Sequence, residues 1–203
     1  MSEVKSLPFA FSDLKGVSEK AMTIHHDKLY AGYVAKKNEV GEKLKEYSTG
    51  QKQAEGTNPT YSDLRSLADA ETFATNGVYL HEFYFSVLGG AGEPTGPLVE
   101  ALKVKYGSYE NWANYFVARG MAARGWTILA WDTYEKTLRC YNADAHNQGG
   151  IWGAVPIIVL DVYEHAYFMD YGSDRQAYIA DFLKNLNWEV ANQLYEKVKG
   201  WQY

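Results

Sequence analysis

The feature that most limits what this chain can fold into is an apolar run at residues 155–160 that ends on Asp161, with His165 four residues later. A short continuous apolar run of this length is typical of a buried strand. A carboxylate at the end of such a strand is costly unless a positive group meets it. An imidazole close by is a donor that transition metal ions accept. The segment therefore predicts a buried strand whose end delivers two polar side chains to an interior site.

The first part of the chain has the pattern of two long helices. Ser18 is placed to cap the first helix. One face of that helix is formed by residues three, four or seven apart, namely Met22, His25, Leu29, Tyr33, Val40 and Leu44. His26 points about 100° away from this face and is predicted to lie at the surface. After a polar loop near residues 48–59, a second helix is expected over about 62–88, with Gly77 as a point where it can break. It carries His81 on the same face as Gly77.

Beyond residue 90 the period changes from helical to strand-like. A helix is expected over about 97–124 with a restart at Ser108, and residues 126–131 and 137–141 flank a short turn as a hairpin. The run at 155–160 makes a third strand, and helices return from about residue 173. This order predicts an α+β fold, with a long N-terminal α-helical hairpin and a C-terminal domain in which helices flank a three-stranded antiparallel sheet. The glycine-rich stretch at 89–94 predicts domains at residues 1–90 and 91–203, with the metal site between them.

Charge and hydropathy exclude several classes of protein. The formal net charge is −5, which disfavours a nucleic-acid partner because phosphate contacts need a basic face. No apolar stretch approaches the 18 residues of a membrane span. The first residues lack the basic and then apolar form of a secretory signal. These features predict a cytoplasmic protein with neither a nucleic acid nor a membrane as its partner.

Four residues form the candidate metal set, and each also has a simpler interpretation. His25, His81, Asp161 and His165 would offer three imidazoles and one carboxylate, which suits iron or manganese better than structural zinc. Alternatively, His25 and His81 are core histidines with hydrogen-bond partners, and Asp161 and His165 form a plain ion pair. The metal interpretation is favoured because one fold would otherwise have to satisfy four costly polar groups.

Several segments carry a resemblance to a known family. They are residues 7–9, the His25-His26-Asp27-Lys28 run with Tyr33, His81 followed by residues 83–85, Gly125-Trp126, the Asp-x-x-Glu-His-Ala-Tyr stretch at 161–167, and Asn187-Trp188. Over nearly its whole length the chain resembles the iron/manganese superoxide dismutases. The resemblance implies that His25, His81, Asp161 and His165 bind one iron or manganese ion. It also implies that Tyr33 lies beside the substrate channel and that Glu164 reaches His165 of the partner subunit in a homodimer.

The chain departs from the family pattern at several positions. Leu29 stands where the family has a histidine that bonds across the dimer to the tyrosine matching Tyr167, so that bond is absent. Tyr163 and Ile128 stand where the family has tryptophans, whereas the tryptophan matching Trp126 is retained. Gly77 matches the glycine of manganese-type members. The position at which those members place a water-orienting glutamine is assigned to His146.

The implied reaction converts two superoxide ions and two protons into dioxygen and hydrogen peroxide. The resemblance implies that Tyr33 relays protons and that His146 bonds the metal-bound water, and a titrating His146 predicts a stronger pH dependence than glutamine would. Lys28 and Arg175 are assigned to a positive funnel for the anionic substrate. The preference between iron and manganese and the choice between dimer and tetramer stay open. The rival functions are a catalytically impaired metal-binding homologue that acts as a structural dimer, and a non-haem iron oxygenase.

Overall fold

The computed structural model describes residues 1–202. In its N-terminal part, helix α1 (Glu19–Thr23), a π-helical segment (Ile24–Tyr30) and helix α2 (Ala31–Ser48) follow one another without interruption and pack against helix α3 (Asp63–Ser86). The Ser18 side chain accepts a hydrogen bond from the Ala21 amide at 3.1 Å and caps α1, as predicted. The two long helical stretches form the predicted hairpin.

Helix α3 does not break at Gly77, which corrects the sequence-based expectation. A Cβ atom at this position would lie 2.9 Å from the Tyr33 ring on the facing helix, which is closer than real Cβ contacts. The glycine therefore permits close approach of the two helices rather than interrupting one of them.

The π-helical segment explains why His26 was wrongly expected at the surface. A π-turn holds more residues than an α-turn, and here it lets two successive histidines face inward, so that His25 is only 2% exposed and His26 7%. The His26 ring contacts the Lys5 carbonyl oxygen through Nε2 at 2.7 Å and the Asp27 carboxylate through Nδ1 at 2.6 Å. It thus holds the N-terminal segment against the hairpin.

The C-terminal part contains the predicted sheet. Helices α4 (Pro97–Tyr106) and α5 (Tyr109–Ala122) meet at Ser108, whose side chain caps α5. Strands β1 (Trp126–Asp132), β2 (Thr137–Ala143) and β3 (Ala154–Asp161) form an antiparallel sheet in the order β2-β1-β3, with Trp126 opposite both Ala143 and Asp161. Every residue of β1 is buried, as expected for the central strand of a covered sheet.

Helices follow the sheet sooner than predicted. Helix α6 (Glu164–Tyr171) starts three residues after Asp161, so His165 lies on a helix and not in a junction loop. Only Ala166 and Tyr167 of this helix are buried, and the segment is too short to display a helical apolar period. Helices α7 (Arg175–Lys184) and α8 (Trp188–Val198) complete the predicted α+β fold. Among residues 1–202, none of the helices combines the length and apolarity of a membrane span. The division at residues 90 and 91 stays a prediction.

Candidate metal centre

Four distant segments bring the candidate metal set together. The π-helical segment supplies His25, α3 supplies His81, the end of β3 supplies Asp161 and the first turn of α6 supplies His165. One ligand atom from each residue lies within 4.8 Å of the other three. His25, His81 and Asp161 are buried, whereas the His165 side chain is 27% exposed. The arrangement is a compact interior cluster of three imidazoles and one carboxylate.

Asp161 is the centre of the cluster. Its Oδ2 lies 3.2 Å from Nε2 of His25, 3.2 Å from Nε2 of His165 and 3.7 Å from Nε2 of His81. Its Oδ1 accepts a hydrogen bond from the Tyr163 amide at 2.9 Å, which fixes the orientation of the carboxylate. Burial by itself would raise the pKa of Asp161, but the contacts with His165 and His25 prevail and lower it well below its ordinary value. The carboxylate is therefore ionised at neutral pH.

His25 and His81 are held neutral, with free nitrogen lone pairs. Burial lowers the pKa of His25, and burial together with the neighbouring His25 lowers the pKa of His81 to about 3. The Nδ1–H of His81 donates to the Gly77 carbonyl at 2.5 Å, which leaves its Nε2 as an acceptor that faces Asp161. Neither the Nε2 of His25 nor that of His81 has a hydrogen-bond partner among residues 1–202, although both atoms are buried.

These two orphaned nitrogens decide between the interpretations left open by the sequence. A buried polar atom without a partner costs roughly 1–3 kcal/mol, so hydrogen-bonded core histidines do not account for the cluster. Asp161 and His165 do contact each other. Burial by itself would lower the pKa of His165, but the hydrogen bond to Asp161 prevails and raises it. That ion pair leaves the other two imidazoles unexplained. A transition metal ion bound by three nitrogens and one carboxylate oxygen satisfies all four groups.

Tyr33 and His146 lie together beside this cluster. The Tyr33 ring centroid is 5.3 Å from that of His81 and 4.7 Å from that of His146. The indole N–H of Trp126 donates to Nδ1 of the buried His146 at 3.0 Å. Because an indole nitrogen only donates, the neutral His146 ring must carry its proton on Nε2. Burial lowers the pKa of His146 to about 4, so the predicted titration near neutral pH is not supported.

Aromatic rings enclose the remaining sides of the cluster. Trp126 lies 5.1 Å from His81, and Tyr163 stacks on His165 at 5.4 Å, both measured between ring centroids. Phe73, which the sequence reasoning missed, packs on His146 with centroids 4.5 Å apart. Its spacing from Gly77 and His81, four and eight residues, places it on their helix face and was a signal that could have been used.

The predicted funnel and interface residues lie farther out. Lys28 is exposed on the π-helical segment. Arg175 is half-buried, and it donates to the Tyr167 hydroxyl at 3.2 Å and to the Ala123 carbonyl at 2.8 Å, so it joins three helices. Glu164 is exposed and has no hydrogen bond or ion pair within residues 1–202. Tyr167 thus has a hydrogen-bond partner within its own chain, Arg175.

Comparison with known proteins identifies the family. Residues 2–89 match the model of the α-hairpin domain of iron/manganese superoxide dismutases, and residues 94–194 match the model of their C-terminal domain. The chain belongs to the iron/manganese superoxide dismutase family. It is 41% identical over 187 residues to the superoxide dismutase [Fe] of Aquifex pyrophilus, covering 91% of this chain and 87% of the relative. It is 35% identical over 198 residues to the superoxide dismutase [Mn] 1 of Halobacterium salinarum, covering 96% and 95%. Family members with either metal in their names are thus similar over nearly the full chain.

Proposed function

We propose that the protein is a superoxide dismutase that converts superoxide to dioxygen and hydrogen peroxide at one iron or manganese ion per chain. The observation that carries this proposal is the convergence of His25, His81, Asp161 and His165, with two buried Nε2 atoms that have no hydrogen-bond partner in the described part of the chain. Family membership and the names of the relatives support the same activity. Nothing in the structure favours the oxygenase or the inactive structural dimer.

The four ligands supply a defined electrostatic environment. An iron or manganese ion held by these four residues would supply the one-electron redox chemistry that the disproportionation of superoxide requires. Asp161 contributes one negative charge in a buried setting, which favours the higher oxidation state of an ion held there. The hydrogen bond from His81 to the Gly77 carbonyl orients the imidazole and increases its basicity as a ligand.

We infer that His146 acts as a fixed hydrogen-bond donor. Trp126 holds its Nδ1 as an acceptor, so the ring offers an Nε2–H group at a position beside His81. A neutral donor in this place can do what the amide of a glutamine does, because both groups present an N–H donor that does not titrate near neutral pH.

Tyr33 is proposed to supply protons for the reduction of superoxide. Burial, with the charge of Asp161, raises the pKa of its hydroxyl group, which keeps the phenol protonated at neutral pH. The ring is half-buried, so it can exchange protons with solvent on one side while it contacts His81 and His146 on the other.

Lys28 and Arg175 are the candidates for attracting the anionic substrate. The net charge of −5 repels an anion, so a local positive group is needed, and exposed Lys28 is the better candidate because Arg175 is engaged with Tyr167.

Glu164 is exposed and unpaired among the described residues, and His165 is partly exposed one residue away. This supports a homodimer in which Glu164 reaches His165 of the partner subunit. A tetramer and a cytoplasmic location also stay predictions.

The test is to measure metal content and superoxide decay on the same preparation. Protein from which metal has been removed should lose activity and regain it when refilled with iron or with manganese. Full metal loading without superoxide decay would support the inactive dimer instead, and oxygen uptake that depends on an added organic substrate would support the oxygenase.

A further inference from the structure

A chain of tyrosines leads away from the metal centre on the side of His25 and Asp161. The Tyr84 ring lies 5.2 Å from the His25 ring, measured between centroids, and the Tyr84 and Tyr178 hydroxyl oxygens are 3.2 Å apart. The Tyr178 hydroxyl donates to the backbone carbonyl of Asp161 at 2.8 Å. The Tyr171 ring follows, with its centroid 5.7 Å from that of Tyr178. These contacts form a continuous path of phenols from two of the proposed ligands to a half-buried ring.

The end of this path is suited to the loss of a hydrogen atom. The Tyr171 hydroxyl donates to Oδ2 of Asp181 at 3.0 Å, and the Asp181 side chain is 24% exposed. The backbone of Gly16 covers the pair so closely that a Cβ atom there would collide with both. A tyrosine that gives up an electron also releases its phenolic proton, and a carboxylate already in hydrogen-bond contact can take it. Tyr171 is therefore a favourable place for a phenoxyl radical.

Tyr167, beside this path, and Tyr30, beside the metal centre, are less suited to hold the radical. Tyr167 stacks on Tyr178, yet it receives a hydrogen bond from Arg175 at 3.2 Å, and the guanidinium lies 5.5 Å from the ring centroid. A donor cannot take the proton, and the cation disfavours positive charge on the ring. Tyr30 donates to the Glu82 carboxylate at 3.0 Å, but it is buried. A radical on Tyr30 would stay beside the His81 ring, 6.3 Å away between centroids.

We propose that Tyr84, Tyr178 and Tyr171 relay an oxidising equivalent from the metal centre to the protein surface and so protect the ligands from hydrogen peroxide. The proposal rests on the dismutase function, which makes peroxide at this site. Hydrogen peroxide takes up two electrons and two protons as its O–O bond breaks, and two water molecules form. A reduced ion held by His25, His81, Asp161 and His165 would supply one electron. Tyr171 would supply the other through Tyr178 and Tyr84. The Tyr171 proton passes to Asp181, and the two protons for water come from solvent.

The experiment is rapid freezing of the reduced, iron-loaded protein after mixing with hydrogen peroxide, followed by electron paramagnetic resonance. We expect a tyrosyl radical signal, identified by its narrowing in protein with ring-deuterated tyrosine. Tyr171→Phe should lose this signal, and peptide mass spectrometry should then detect more oxygen added to Trp126 and His25. Asp181→Asn keeps the ring but removes the proton acceptor, so it should weaken the signal without deleting a tyrosine. Tyr61→Phe, at a phenol that is 90% exposed, is the matched control and should leave the signal unchanged.

Several results would overturn the relay. The first is the absence of a radical signal in the unaltered protein, and the second is an unchanged signal with unchanged ligand oxidation in Tyr171→Phe. The relay is also wrong if Tyr61→Phe loses the radical signal as fully as Tyr171→Phe, or if only Tyr30→Phe loses it. Superoxide decay is measured on each sample before peroxide is added. An inactive but metal-loaded unaltered protein would refute the dismutase proposal, whereas a normal rate without the Tyr171 radical would refute the relay alone.

Discussion

The close approach of α2 and α3 at Gly77 yields the sharpest prediction from the structure. In Gly77→Ala, the new Cβ would lie 2.9 Å from both Cγ and Cδ1 of Tyr33, whereas ordinary contacts begin near 3.4 Å. A phenol ring cannot compress, so either the helices separate or the ring moves outward. Because Tyr33 contacts His81 and His146, movement of its ring should also disturb the metal centre.

The expected size of the effect comes from two opposing terms. Alanine stabilises a helix interior by roughly 0.5–1 kcal/mol relative to glycine. Overpacking of a well-filled contact costs typically about 1–3 kcal/mol. The collision should therefore outweigh the helix term by up to about 2.5 kcal/mol. For a chain of this size, each kcal/mol shifts Tm by about 2–4 °C, so Tm should fall by several degrees.

Thermal unfolding of the metal-loaded protein at fixed concentration measures the change in Tm of Gly77→Ala. The superoxide decay rate is determined on the same samples. Gly41→Ala is the matched control, because apart from its own helix backbone no atom of residues 1–202 lies within 4 Å of a Cβ atom there. The higher helix propensity of alanine should therefore raise Tm. In a Tyr33→Ala background the ring is gone, so Gly77→Ala should be neutral or stabilising. If Gly77→Ala instead raises Tm as much as Gly41→Ala and leaves the rate unchanged, the inferred packing of Tyr33 against Gly77 is wrong.

Three further predictions concern the metal centre itself. His81→Ala should abolish metal binding measured by elemental analysis, whereas His26→Gln, at a buried histidine outside the cluster, should retain the metal. Trp126→Phe leaves Nδ1 of His146 unpaired, which should destabilise the fold by about 1–3 kcal/mol. Superoxide decay should become slower while the metal content stays constant. A loss of metal would contradict the inference that Trp126 acts only by orienting His146. Metal uptake by the metal-free protein should weaken as pH falls, because protons compete for the ligands. Because its hydrogen bond to Asp161 raises the pKa of His165, the weakening should begin at a higher pH than an ordinary imidazole would give in a titration of binding, and an onset in the range of an unperturbed imidazole or below would contradict the assigned contact with Asp161.

Most of the fold could be predicted from local patterns. The change from helical to strand-like period near residue 126, the cap at Ser108 and the apolar run before Asp161 correspond to elements in the structure. Each of these signals depends on a few neighbouring residues, and each is strong because the element it predicts is long or fully buried.

The errors occurred where a short or irregular element depends on its surroundings. Helix α6 has only two buried residues, so it carries almost no periodic signal. The π-helical segment looks like an ordinary helix in sequence, yet the extra residue in its turn brings both His25 and His26 inside. Helix α3 continues through Gly77, where the sequence allowed a break, because a glycine at a helix contact and a glycine at a helix end have the same local pattern.

The sequence by itself determined which residue types could form a metal site and which elements would carry them, because helix faces, strand ends and family motifs are local patterns. Only the tertiary structure decided that the Nε2 atoms of His25 and His81 are buried beside Asp161 without a hydrogen-bond partner among residues 1–202. It also decided that Trp126 holds His146 as a donor. Those facts depend on distances between side chains on different helices, strands and loops, which packing of the whole core sets and no local pattern encodes.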